Sequence, residues 1–232
     1  MTDTDRYVEG LAAALAEARE HLLDASRVSG RPPAEIVVAG KYVPAREADL
    51  LTRAGVAVIG ENRLQDLQAK RDVLGDAITF DFIGHLQRRK VRDVLGIVRL
   101  IHSVDSRELV EEISRRSEGT VRVLVEVNLA NEPTKHGITA SDLPSFMDDV
   151  SRWPNVLVGG LMTMPPMSAS PEANRVHFAG LRELGETLAQ QWQGRHDVAD
   201  LSMGTSQDYV VAAEEGATLV RLGRGLFQRA KG

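Results

Sequence analysis

Eight short apolar runs alternating with stretches of helical spacing constrain this chain more than any other feature. The runs are Ile36–Lys41, Ala57–Glu61, Thr79–Gly84, Leu100–Val104, Val121–Asn128, Leu157–Met164, Val198–Met203 and Thr218–Leu222. Several are continuously apolar, as strands of a parallel sheet are when both faces are covered. Helical windows fall between them at 45–54, 63–74, 87–95, 106–117, 140–152, 171–192 and 206–215. Eight such strands with their helices predict an α/β fold of the (β/α)8 barrel type; a doubly wound open sheet is the alternative.

An extra helix precedes the barrel. Val8, Leu11, Leu15, Ala18, Leu22 and Leu23 recur at helical spacing over residues 4–29, and Gly30 with Pro32-Pro33 closes the segment. The barrel itself is expected over about 35–228, within one domain spanning 1–232, because no linker or low-complexity stretch interrupts the chain. A net charge of −5 gives nucleic acid no electrostatic footing as a partner. Cysteine is absent, which removes disulfides, thiolate catalysis and cysteine-based metal sites, and no metal is assigned. No run approaches the ~20 apolar residues of a membrane span and no early stretch resembles a signal peptide, so a cytoplasmic protein is expected.

In a parallel barrel the C-terminal ends of the strands converge on one mouth. Those ends carry Lys41, Glu61-Asn62, Gly84-His85, Ser103-Val104-Asp105, Asn128, Met162-Thr163-Met164, Ser202 to Ser206, and Arg221 to Gly225. Of the five lysines, Lys70 and Lys90 read as helix-surface positions, Lys135 as a loop residue and Lys231 as tail. Only Lys41 has a strand behind it and a turn, Tyr42-Val43-Pro44, ahead of it. An amine there can lose its charge by desolvation and attack an aldehyde or ketone.

Two turns suit an anion. Gly204-Thr205-Ser206 precedes a helix expected to start near Gln207, with Ser206 as its N-cap. Gly223-Arg224-Gly225 lets backbone N–H groups approach a phosphate closely. The competing reading is an ordinary helix cap and a strand-ending turn. Arg221 lies inside the apolar run Leu219–Leu222 and needs an acceptor, either a core carboxylate or a ligand ring nitrogen. One cofactor suits the set: pyridoxal 5′-phosphate (PLP), with its aldehyde on Lys41, its phosphate at Ser206 and the Gly223 turn, and its pyridine nitrogen at Arg221. A permanent donor at that nitrogen leaves the ring a poor electron sink, so such a site holds the cofactor but stabilises carbanions weakly.

The motifs then resemble a known family. They are Val38-Ala39-Gly40-Lys41 with Pro44, Gly60-Glu61-Asn62, Phe82-Ile83-Gly84-His85-Leu86-Gln87 with Lys90, and His102-Ser103-Val104-Asp105. Further along come Val127-Asn128 with Glu132-Pro133-Thr134-Lys135-His136-Gly137, Gly160-Leu161-Met162, Leu201-Ser202-Met203-Gly204 with Ser206 and Asp208, and Val220-Arg221-Leu222-Gly223. In this order they resemble, over roughly residues 8–228, the pyridoxal phosphate homeostasis proteins, relatives of the N-terminal barrel of alanine racemase.

The resemblance implies an internal aldimine on Lys41, phosphate contacts from Ser206 and the backbone of Gly223 and Arg224, and Arg221 at the ring nitrogen. It places Asn62 near the ring substituents, with Met203 and His85 as secondary candidates. It also implies a carrier or regulator of vitamin B6 pools, without established catalysis. PLP-dependent apo-enzymes are the candidate recipients, and a monomer is expected. Four departures stand out: Gly40 where serine is usual, Tyr42-Val43 in place of Thr-Lys, Arg89 where asparagine is common, and Arg224 for a small hydroxyl residue.

A racemase-like PLP enzyme is the first alternative. The racemases bring a tyrosine base on a second, β-rich domain, whereas Tyr42, beside the lysine, is expected to face the helices because neighbouring strand residues point oppositely. A lyase or aldolase in which Lys41 forms a Schiff base with a phosphorylated substrate is the second. A protein-interaction module, which requires neither Lys41 nor Arg221, is the third.

Overall fold

The computed structural model describes residues 1–130, 132, 136–168 and 170–230. Lys231 and the Pro133-Thr134-Lys135 motif lie outside the described residues. The eight apolar runs all form parallel strands: β1 Glu35–Ala39, β2 Val58–Glu61, β3 Thr79–Phe82, β4 Leu100–Val104, β5 Val121–Glu126, β6 Val156–Met162, β7 Asp200–Thr205 and β8 Leu219–Leu222. Each pairs with the next, and β8 returns to β1 with Val37 opposite Arg221, which closes the barrel and excludes the open sheet.

The helices are α1 Asp3–Ser29, α2 Asp49–Arg53, α3 Leu64–Leu74, α4 Val91–Leu95, α5 Arg107–Arg116, α6 Leu143–Val150, α7 Arg175–Gln191, α8 Tyr209–Glu214 and α9 Arg224–Arg229. Thr2 and Asp5 form a reciprocal capping box at the start of α1. The buried stripe of α1, Leu11, Ala14, Leu15, Ala18, Leu22 and Ala25, seals the barrel against α8 and α9. α9 lies outside the helical windows expected from the sequence.

Strand alternation sorts the side chains into two cores. Val37, Val58, Leu100, Leu124, Met162 and Leu219, with Ile83, fill the barrel axis. A larger layer between strands and helices holds Val38, Ile59, Phe80, Phe82, Ile101, Leu161, Leu201, Met203 and Val220. Asp81, His102, Ser202 and Arg221 are buried on strand faces that point along the axis, two residues from an axial hydrophobe or opposite one.

Lys70 is not at the surface. Its side chain is 3% exposed, and its Nζ stands 2.7 Å from Oε1 of the fully buried Glu61. Leu64, Leu67, Lys70 and Leu74 are the buried residues of α3, so the lysine occupies its inner stripe and meets a carboxylate pointing outward from β2. Burial pushes the Glu61 carboxyl up, against the pull of Lys70.

Candidate functional site at the barrel mouth

Arg221 is the best-anchored polar group in the mouth. Its Nη1 donates to the Ser202 carbonyl at 2.9 Å and to the Ser202 hydroxyl at 2.5 Å. Its Nη2 donates to the Thr163 carbonyl at 2.8 Å and approaches Met164 Sδ at 3.0 Å. No carboxylate is among these partners, so the core-carboxylate reading of Arg221 fails. Burial pushes its pKa down to about 10, against the opposing charges of Glu126 and Asp208, and the group stays cationic at neutral pH. The Nε–H takes part in none of these bonds.

Behind Arg221 a hydrogen-bonded chain runs down the barrel axis. His102 Nε2 lies 3.2 Å from Asp81 Oδ2, and His102 Nδ1 lies 2.9 Å from Ser202 Oγ. Asp81 also accepts two bonds from Arg99, at 3.1 and 2.7 Å. Burial raises the Asp81 carboxyl, but the bonds from His102 and Arg99 outweigh it and hold the group below the usual carboxylate range. Burial likewise pushes the His102 imidazole down, to the neutral form. These charge states set every donor. The Asp81 carboxylate accepts from Nε2–H, so Nδ1 accepts the Ser202 hydroxyl, which leaves the Ser202 oxygen to accept from Arg221. Sequence reasoning missed this chain; its signal was a polar residue flanked by apolar ones in β3 and β7 and the His102-Ser103 pair inside β4.

Ser206 and Gly223 meet, but not as a helix cap. The Gly223 N–H donates to Ser206 Oγ at 3.0 Å. α8 begins at Tyr209, two residues past the expected start, because Asp208 closes the turn by accepting from the Thr205 N–H at 2.7 Å. The hydroxyl of Ser206 therefore faces the Gly223 turn rather than the helix end. A Cβ at position 223 would come within 2.6 Å of the Tyr42 ring and 3.2 Å of Ala39 Cβ, so only glycine fits between them. Arg224 starts α9 with its side chain exposed, beside Tyr42 and Phe227 in an outer groove.

Lys41 departs from the expected environment. β1 ends at Ala39, and Gly40–Tyr42 form a 3-10 turn closed by the Val43 N–H on the Gly40 carbonyl at 3.0 Å. The lysine is exposed rather than buried, with Nζ 5.2 Å from the centre of the Tyr42 ring. Tyr42 itself packs on Phe227 of α9, 5.6 Å between ring centres, and so faces the helices as the sequence suggests. The Tyr42 ring against Gly223 brings the Lys41 turn beside the Ser206–Gly223 contact.

The remaining candidates divide. Asn62 is half-buried, and its backbone packs so tightly on Gly84 that a Cβ there would stand 2.5 Å from the Asn62 carbonyl oxygen. Met203 is fully buried in the outer layer, and this position rules it out as a mouth residue. Ser202 points inward, so its neighbour Met203 must point outward. His85 is on the opposite rim, paired with Asp105 and stacked on His136, away from the Ser206–Gly223 contact.

With this geometry in view, comparison with known proteins settles the lineage. Residues 14–230 match the alanine racemase, N-terminal domain family. A pyridoxal phosphate homeostasis protein of Aquifex aeolicus is 40% identical over 206 residues, covering 87% of this chain and 90% of that protein. The chain belongs to the pyridoxal phosphate homeostasis protein family. A further member, from Pseudomonas aeruginosa, is 33% identical and covers 94% of both chains. The structure of PipY from Synechococcus elongatus, solved with PLP bound, superposes with a TM-score of 0.82 at 31% identity, covering 94% of this chain and 99% of PipY. Against other members, Gly40 now has a local cause. A Cβ at position 40 would collide with Glu61 Oε1, so a serine here has to displace the buried Glu61–Lys70 pair.

Proposed function

We propose that this chain binds PLP at the barrel mouth and serves vitamin B6 homeostasis as a carrier or regulator rather than as a strong catalyst. The observation that carries the reading is Arg221: a buried guanidinium, cationic at neutral pH, that among the described residues has no carboxylate partner and makes no bond through its Nε–H. That donor suits the ring nitrogen of a pyridine. Among the described residues the Ser206 hydroxyl accepts from Gly223 and donates to no other group, which suits a phosphate lodged between the two turns. Lys41, one turn past β1 and beside that contact, supplies the amine for the aldehyde. Bound PLP supplies an electrophilic carbonyl and an electron-withdrawing ring, and Arg221 limits the second property.

Membership of the family and the PLP-bound PipY structure support this reading. No helix among the described residues is long and apolar enough to cross a membrane. A cytoplasmic monomer that passes cofactor to PLP-dependent apo-enzymes completes the proposal. Titration of PLP into the protein tests it, with saturation at one equivalent in wild type. Ser206→Ala should weaken binding, by about 1–3 kcal/mol for a charge-assisted bond. Absence of saturable binding in wild type contradicts the proposal.

A further inference from the structure

Three loops on the rim away from the Ser206–Gly223 contact bring together side chains that the proposed cofactor site does not use. His85 follows β3, Asp105 follows β4 and His136 follows β5. The His136 segment is tied to β5 by the Ile138 N–H on the Glu126 carbonyl at 2.8 Å and the Asn128 N–H on the Ile138 carbonyl at 2.9 Å. Asp105 Oδ2 stands 3.3 Å from His85 Nδ1 and 3.5 Å from His136 Nδ1, and one potential ligand atom from each of the three residues lies within 4.8 Å of the other two.

We propose that His85, Asp105 and His136 bind a divalent first-row transition ion, Zn2+ fitting best, through two imidazoles and one carboxylate. Two ligand atoms bound at ~2.0–2.1 Å to a tetrahedral zinc stand about 3.3–3.4 Å apart, and the two carboxylate–imidazole separations match that edge. The Asp105 side chain is only 9% exposed, yet its polar contacts among the described residues are these two imidazoles. A carboxylate so withdrawn from water needs a cation close by.

Neighbouring charge points the same way. The half-buried Glu126 carboxyl is pushed up first by burial and then by the negative charge of Asp105, with Arg221 and His136 opposing. Among the described residues, the Glu126 and Asp105 carboxyls therefore share this rim with the Arg221 guanidinium. The His85 and His136 rings are stacked with centres 4.1 Å apart and planes 17° from parallel, so their lone pairs do not yet meet at one point. Both rings are exposed, at 45% and 61%, which leaves them room to turn about Cβ–Cγ and converge on an ion. Three protein ligands leave a fourth position for water or another ligand. The site stands independently of the PLP reading.

The test uses the full chain, stripped with a chelator and then titrated with Co2+ in PLP-free buffer. Wild type should take up one Co2+ per chain with a visible ligand-field band that Zn2+ displaces. Asp105→Asn and His136→Ala should lose the band, and His177→Ala, on α7, should keep it. Failure of wild type to bind Co2+ stoichiometrically overturns the proposal and leaves a carboxylate–imidazole clasp only. Survival of the band in both ligand variants overturns it equally. Should Asp105→Asn fold poorly, the exposed His136→Ala decides.

Discussion

Arg221 hangs from Ser202, whose carbonyl and hydroxyl both accept from the same guanidinium nitrogen. That hydroxyl is also the joint through which His102 and Asp81, buried along the barrel axis, fix the position of Arg221. Ser202→Ala removes the joint. It leaves His102 Nδ1 and one Arg221 N–H unpaired, at about 1–3 kcal/mol for each buried group. A fall in the urea midpoint together with a weaker affinity for PLP is expected. Unchanged affinity in a correctly folded variant would mean that Arg221 does not depend on this chain of bonds.

Gly40→Ser restores the residue usual in the family and should destabilise this protein. The new Cβ meets the Glu61 carboxylate, which is already committed to Lys70. Overpacking of this kind costs about 1–3 kcal/mol. Thermal unfolding of the variant checks it, and an unchanged midpoint would show that Glu61 has another place to go.

The Glu61–Lys70 pair makes a sharper prediction. Lys70→Met alone strands a buried carboxylate and should cost about 3–5 kcal/mol, whereas the double variant Glu61→Leu/Lys70→Met should recover most of that loss. Denaturant midpoints of the two variants decide between a buried pair and two independent residues.

Much of this fold was legible because a parallel strand covered on both faces is largely apolar, and several of the eight runs are continuously so. Arg221 was legible for the same reason, as a fixed charge in an apolar strand. The axial chain was not. Asp81, His102 and Ser202 lie in separate strands, and nothing local marks Phe80-Asp81-Phe82 or Leu201-Ser202-Met203 as touching. The inward turn of Ser202 also decided that Met203 faces the helices. Lys41 was assigned to a buried strand end because an apolar run shows no boundary; the backbone leaves the strand at Ala39. Lys70 was misplaced despite a visible signal, its position on the stripe of Leu64, Leu67 and Leu74.

Acid sensitivity should trace in part to His196. Burial, then the charge of Arg195, pushes its pKa down to about 4 from the usual 6.5. Its Nδ1 accepts from the Val158 N–H at 3.3 Å, which requires the neutral ring. A histidine depressed in this way stabilises the fold fully above its unfolded value and loses that contribution as pH falls from 6.5 toward 4. Midpoints measured across that window should drop less steeply for His196→Leu than for wild type. Parallel curves would assign the acid response elsewhere.

The most direct measurement is borohydride reduction of the PLP-loaded protein followed by peptide mass mapping. One reduced pyridoxyl adduct is expected, on Lys41, and the adduct should vanish in Lys41→Ala while Lys70 and Lys90 stay unmodified. An adduct mapped to another lysine, or one that persists undiminished in Lys41→Ala, would contradict the account.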